Sequence, residues 1–171
     1  MSLVSHATSE RRGENHWLLR FELHLPYSYE ALWHAVTTPD GLRGWLAAAD
    51  VLERRLGGAV TLRWLNTGTV ASGHVSAWDV ERVAEYTVAG LGRIRFHLEA
   101  VGTDSTVIRF VNERGGSDEA RLDCLAGWHE HFELLEAALA GRPTDWSTWT
   151  DSRWAGLRAS YASFSEARRA S

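Results

Sequence analysis

Apolar and polar positions change their period twice along the chain, and each change marks a structural boundary. From Trp17 onward Leu19, Phe21, Leu23 and Leu25 share one face while Arg20, Glu22 and His24 share the other. That is the two-residue period of a half-buried strand, and Pro26 ends it. Ser28 can then accept an orphan amide of a first helical turn, which predicts a short helix carrying Leu32, Trp33 and Val36. Thr38 and Pro39 break that helix and begin another, with Leu42, Trp45 and Leu46 on one side. Residues 1–15 mix Ser, Arg, Glu and Gly with little apolar content and read as a flexible leader.

The middle of the chain returns to short alternating runs between turn residues, the spacing of an antiparallel meander. Residues 51–54 make a weak run, and the Gly57-Gly58 pair leads into Val60, Leu62 and Trp64 on one face. Residues 70–80 and 83–88 read as a hairpin. Ile94, Phe96 and Leu98 alternate against Arg93, Arg95, His97 and Glu99, and after a turn Ile108, Phe110 and Asn112 share a face. Ser117 can cap a long helix whose Leu122, Leu125, Trp128, Phe132, Leu135 and Leu139 recur at three and four residues. Gly141 and Pro143 end that stripe. About 23 residues at 1.5 Å each give a rod of roughly 35 Å, enough to cross a small sheet. The expectation is an α+β domain over residues 16–142. A curved antiparallel sheet of about six to seven strands surrounds the long helix, with two short helices after the first strand.

Composition narrows the function classes. With 171 residues, 44% hydrophobic and 23% charged, the chain is sized for one core that buries roughly 70% of the unfolded surface. No apolar run approaches the roughly 18 to 20 residues of a membrane span, and residues 1–17 hold no hydrophobic stretch fit for a signal peptide. A cytoplasmic protein is expected. The net charge of −4 gives no electrostatic reason to expect nucleic acid as a partner. A single cysteine, Cys124, excludes an internal disulfide and a multi-thiolate metal site. All 18 basic residues are arginine, so Schiff-base chemistry on a lysine is excluded as well.

Four segments carry a family resemblance: PYSYEALWHAVTTPDGLRGWL, GGAVTLRW, GHVSAWDVERVAEYTV and GWHEHFELLEAALAG. Together they resemble the START-like (SRPBCC) superfamily over residues 16–141, and within it the branch named after the activator of the ninety-kilodalton heat-shock chaperone's ATPase. The matching positions are Pro26, Leu32-Trp33, Thr38-Pro39, Trp45 and, in the long helix, Gly127-Trp128. The resemblance implies a helix-grip fold with a deep, largely apolar cavity between sheet and long helix. Members use such cavities for lipids, polyketides, hormones and other hydrophobic molecules.

By strand parity the inward residues face the helix stripe, where they either fill the core or line such a cavity. The candidate ligand-binding residues are Trp33, Trp64, Phe96, Phe110, Asn112, Trp128 and Phe132. Asn112 is the polar member of that set: buried, its amide would orient a ligand or bridge the following loop. Trp128 would want an acceptor for its indole N–H. His129 and His131 stand two apart on a helix, about 200° around the axis, and cannot chelate one ion. A solvated helix face is expected there, with no metal and no cofactor. No nucleophile elbow, P-loop or zinc-protease motif occurs, so no catalytic residue is assigned.

Beyond Pro143, residues 143–171 carry Trp146, Trp149, Trp154, Leu157, Tyr161 and Phe164. Helical spacing of the last four predicts an extra tail helix whose apolar face must pack on its own domain or on a second copy; a homodimer through the tail is expected. The function that fits best is binding of a small hydrophobic molecule. A polyketide cyclase or hydratase-like enzyme and a protein-interaction module are the alternatives.

Overall fold

The computed structural model describes residues 2–170, with side chains described through residue 165. In chain order its elements are β1 (Thr8–Gly13), β2 (His16–Leu25), α1 (Tyr29–Thr37), α2 (Pro39–Arg43), β3 (Ala47–Leu52), β4 (Ala59–Trp64), β5 (Val70–Asp79), β6 (Val83–Val88), β7 (Gly92–Ala100), β8 (Thr106–Gly115), α3 (Asp118–Leu139) and α4 (Ser152–Ala170). The strands form one antiparallel sheet in the order β1-β2-β8-β7-β6-β5-β4-β3. Register shifts between Ala49 and Val51 and between Val75 and Ala77 place bulges in β3 and β5, where such insertions bend strands.

The strand count is eight because β1 arises from the segment read as a leader. Its residues 8–13 have no apolar alternation, yet they pair with β2 from Thr8↔Arg20 to Gly13↔His16. The preceding residues are anchored too: the Ala7 N–H donates to the Tyr161 hydroxyl oxygen at 2.9 Å, and Val4 and Ala7 are buried. Backbone hydrogen bonding, which leaves no trace in side-chain patterning, decides this strand.

The helix starts follow the capping logic. Ser28, Thr38 and Ser117 accept hydrogen bonds from Ala31, Gly41 and Ala120 N–H groups at 3.3, 3.0 and 3.1 Å. The α1–α2 pair is pinned to the sheet by the Tyr86 hydroxyl, which donates to the Val36 carbonyl, and by the Trp45 indole, which donates to the Ala35 carbonyl, both at 2.8 Å.

The α3 helix lies across the sheet on its inward face. Registers Phe21↔Phe110 and Phe96↔Phe110 set three aromatic residues in a row over β2, β8 and β7. Phe132 of α3 seats against two of them, at 5.1 Å from Phe21 and 5.0 Å from Phe110 between ring centroids. Leu122, Leu125, Trp128 and Leu135 complete the buried stripe.

The tail forms α4 and packs on the side of α3 away from the sheet. Leu157 and Tyr161 are buried there, Trp154 donates its indole N–H to the Asp123 carbonyl, and Arg158 pairs with Asp123 and Glu119. Phe164 stays half exposed beside His6. Most of the tail's apolar face is therefore covered within the chain, with Phe164 as the exposed end. The surface that receives it is α3 of the same chain, so most of the stripe that led to the expectation of a homodimer is packed without a second copy.

Leu135 is fully buried at the helix-to-sheet contact. Leu135→Ala is expected to cost about 2 to 5 kcal/mol in urea or guanidinium titration. A loss under about 1 kcal/mol would show that this face is not the packed one.

Candidate functional site

Among the described residues, aromatic rings fill the centre of the grip. Phe96, Phe110 and Phe132, expected as cavity walls, are each 0% exposed and interlocked: Phe96 and Phe110 lie 5.2 Å apart, and Trp45 stacks on Phe132 at 5.8 Å. Trp33 packs against Trp78 of β5 at 5.2 Å. These four expected ligand contacts are core residues. Bulky rings fill the volume that smaller side chains would leave open.

A pocket of about 360 Å³ opens instead at the end of the grip nearest the β4–β5 and β6–β7 turns. Trp64 and Trp128 stand in its wall. Sheet turns add Asn66, Thr67 and Leu91; α3 adds Asp123, Cys124, Gly127, Glu130 and His131; the tail adds Trp149, Asp151 and Trp154. The α3 members recur at three, four and seven residues, one helical face. A larger groove of about 880 Å³ lies between α1 and β7, but it is open and bordered by charged groups such as Glu30, Glu81, Arg82 and Glu99.

Asn112 is 1% exposed and does not reach the pocket. Its amide nitrogen donates to the Leu91 and Arg93 carbonyls at 2.9 and 3.0 Å, and its oxygen accepts the Trp128 indole N–H at 3.1 Å. Both amide hydrogens are thus committed, and Asn112 positions the β6–β7 turn and Trp128 rather than a ligand. Gly92 in that turn has φ of +74°, and a Cβ there would meet the Glu113 carbonyl at 2.2 Å. Only glycine fits so close an approach.

The His129-Glu130-His131 triplet, expected on a solvated face, is buried at 4 to 5% exposure because α4 and the tail cover it. The Tyr161 hydroxyl, whose oxygen accepts from Ala7, bonds His129 Nδ1 at 2.8 Å. His131 Nδ1 donates to the Trp45 carbonyl at 2.8 Å, so its Nε2 is left as an acceptor. Burial, only partly offset by Glu133 at His129 and by the Trp45 carbonyl at His131, pushes both imidazoles down to about 4. Glu130 moves the other way. Burial raises its carboxyl above the ordinary value, with Trp149 nearby opposing and Glu133 and Asp151 adding to the rise.

Two buried polar atoms at the pocket have no hydrogen-bond partner among the described residues: Asn66 Oδ1 and Trp149 Nε1. The Trp149 N–H is close enough to Glu130 to ease its ionisation, yet outside hydrogen-bonding geometry. The arrangement is an indole-rich hollow with one unused donor, one unused amide acceptor, a buried carboxyl and a neutral imidazole. Sequence pattern missed Trp149 and Trp154 because they lie past the helix that closes the domain; their density in a terminal segment was the available signal.

The family model described as Activator of Hsp90 ATPase homolog 1-like protein matches residues 26–140. The crystal structure of CalU16 from Micromonospora echinospora superposes with a TM-score of 0.71 at 16% identity, covering 95% of this chain and 98% of that one. A Bordetella parapertussis protein, the product of BPP1335, gives 0.66 at 24% identity over 95% and 94% of the two chains. The Aha1 dimer from Colwellia psychrerythraea gives 0.59 at 23% identity over 71% and 95%. Identities this low speak for a shared helix-grip fold alone. No curated protein sequence matches the chain. No helix among the described residues is long and apolar enough to cross a membrane.

The two imidazoles set a pH dependence. Their folded values near 4 lie below the ordinary 6.5, so between those limits the unfolded chain binds more protons and stability falls as pH is lowered. Glu130 acts in the opposite sense and softens the slope. At full shift His131 alone contributes on the order of 3 kcal/mol. Urea midpoints should be flat from pH 8 to about 7 and drop toward pH 4.5, with His131→Asn flattening the drop. A wild-type midpoint independent of pH would mean that both rings reach solvent.

Proposed function

The chain belongs to the Activator of Hsp90 ATPase homolog 1-like family, and from that premise we propose that it binds a small, largely hydrophobic molecule in the pocket walled by Trp64, Trp128, Trp149 and Trp154. The supporting observation is the pairing of that wall with orphaned polar atoms. Buried donors and acceptors are nearly always satisfied, and a ligand carrying one acceptor and one donor would satisfy Trp149 Nε1 and Asn66 Oδ1 together. Apolar hollows of a few hundred cubic ångströms with a few convergent polar groups are the usual form of small-molecule sites. The fold contributes rigidity, because Trp128 is fixed by Asn112 and the aromatic core.

The neutral fluorescent probe N-phenyl-1-naphthylamine should bind saturably with one-to-one stoichiometry. Trp64→Ala and Trp154→Ala should each weaken it by about tenfold. Absent binding, or affinities unchanged in both variants, would remove the pocket as a ligand site.

One observation favours a second reading, a proton-transfer enzyme of the cyclase or hydratase kind. Glu130 and His131 border the same cavity with their ionisation pushed in opposite directions, the pattern of an acid and a base. With 2-acetylnaphthalene in D2O, an enzyme would speed exchange of the methyl protons and lose that effect in Glu130→Gln. A binding domain leaves exchange at the buffer rate, which is the expected result.

A further inference from the structure

The charges around the pocket, taken with the binding reading on which this rests, narrow the class of its occupant. Glu130 is 5% exposed, borders the cavity, and forms no ion pair with the described residues. Arg153, whose field reaches it, is committed to Glu133 through two hydrogen bonds of 2.8 and 2.6 Å. Asp151 and Glu133 add negative charge beside it. Among the described residues bordering the cavity, Asp123, Glu130 and Asp151 are acids and none is an arginine. Asp123 is answered by Arg158, which leaves Glu130 and Asp151 as the local excess.

The uncharged polar groups lean the same way. Asn66 Oδ1 is an unpartnered acceptor, and His131 Nε2 is an acceptor once Nδ1 has donated to Trp45. Against three kinds of acceptor the pocket offers a single unused indole donor, that of Trp149. A carboxylate or phosphate ligand would meet like charge and no guanidinium. A neutral aromatic would fill the hollow and leave Glu130 unanswered.

We infer that the pocket takes a protonated amine carried on a flat apolar body, its N–H groups donating to Glu130 and Asn66 and its charge lying among the indoles. Tryptophan is the best of the aromatic side chains at attracting a cation, and the attraction grows where water is excluded. A buried carboxylate lacking a partner is costly, and a cationic ligand relieves that cost where a neutral one cannot. The cation completes an ion pair that the chain itself leaves half built. Burial also raises the Glu130 carboxyl, and a cation held beside it would oppose that rise.

The test uses two probes of nearly equal shape, 1-naphthylmethylamine, which is cationic at neutral pH, and the neutral 1-naphthylmethanol. Isothermal titration calorimetry at pH 7 on the full chain should show the amine binding at least about tenfold more tightly than the alcohol. Glu130→Gln should bring the two probes within about twofold of each other. Equal affinities in the wild-type protein, or tighter binding of the alcohol, would overturn the cation inference while leaving the pocket as a site for neutral molecules. Failure of both probes and of N-phenyl-1-naphthylamine would remove the site altogether. Should Glu130→Gln not fold, as judged by circular dichroism, the wild-type comparison decides alone. A preference for the amine that survives in a folded Glu130→Gln protein would place the charge recognition elsewhere and overturn the assignment to Glu130.

Discussion

The ring of Phe132 meets Phe21, Phe110, Trp45 and Trp128 at centroid separations of 5.0 to 5.8 Å, so the space between α3 and the sheet is closed by aromatic side chains. Rings at such distances are in contact, and interiors packed this way leave no room for a ligand. Everything about the location of the pocket follows. A helix-grip fold can hollow its centre or fill it. Here Phe96, Phe110 and Phe132 fill it, and an indole-walled hollow of about 360 Å³ remains where the core runs out, at Trp128 and Trp64.

Trp128 joins the two regions. One part of its ring packs on Phe110 at 4.5 Å and Phe132 at 5.8 Å, inside the core, and it also stands in the pocket wall. Its N–H is taken by Asn112, which also holds the turn that carries Leu91. The back of the pocket is thereby fixed before any ligand arrives, and a wall that does not have to be ordered on binding favours affinity.

Much of the architecture was legible in the sequence because it rests on side-chain period. The alternation from Trp17 to Leu25, the capping residues Ser28, Thr38 and Ser117, and the stripe from Leu122 to Leu135 all lie where pattern and structure coincide. Two features were not legible, for different physical reasons. The β1 strand is held by backbone pairing of exposed residues, which no hydrophobic pattern records. The burial of His129, Glu130 and His131 depends on Tyr161 of α4 against His129 and on the strap before it, where Trp146 lies against His131 and Trp149 beside Glu130, covering a helix face whose composition looks solvated. Parity correctly sent Phe96, Phe110 and Asn112 inward, but parity cannot tell a filled interior from a hollow one. That distinction depends on summed volume, and it moves the proposed site from Phe96 and Phe132 to the pocket bordered by Trp149 and Trp154.

The division between family domain and tail follows from the same geometry. Residues 26–140 carry the family match and supply the back and floor of the pocket, whereas Trp149, Asp151 and Trp154 come from outside that span. The tail also buries the α3 triplet, and this burial is what pushes the two histidines toward neutrality and the carboxyl of Glu130 toward its proton. Without the tail Glu130 would face water as an ordinary solvated acid, and a cation would gain little by pairing with it. With the tail in place the same carboxyl lies among indoles, where an opposite charge is held more strongly. On the proposed reading, the family domain sets where a ligand would sit, and the added helix and its leading strap set which charge would be favoured there.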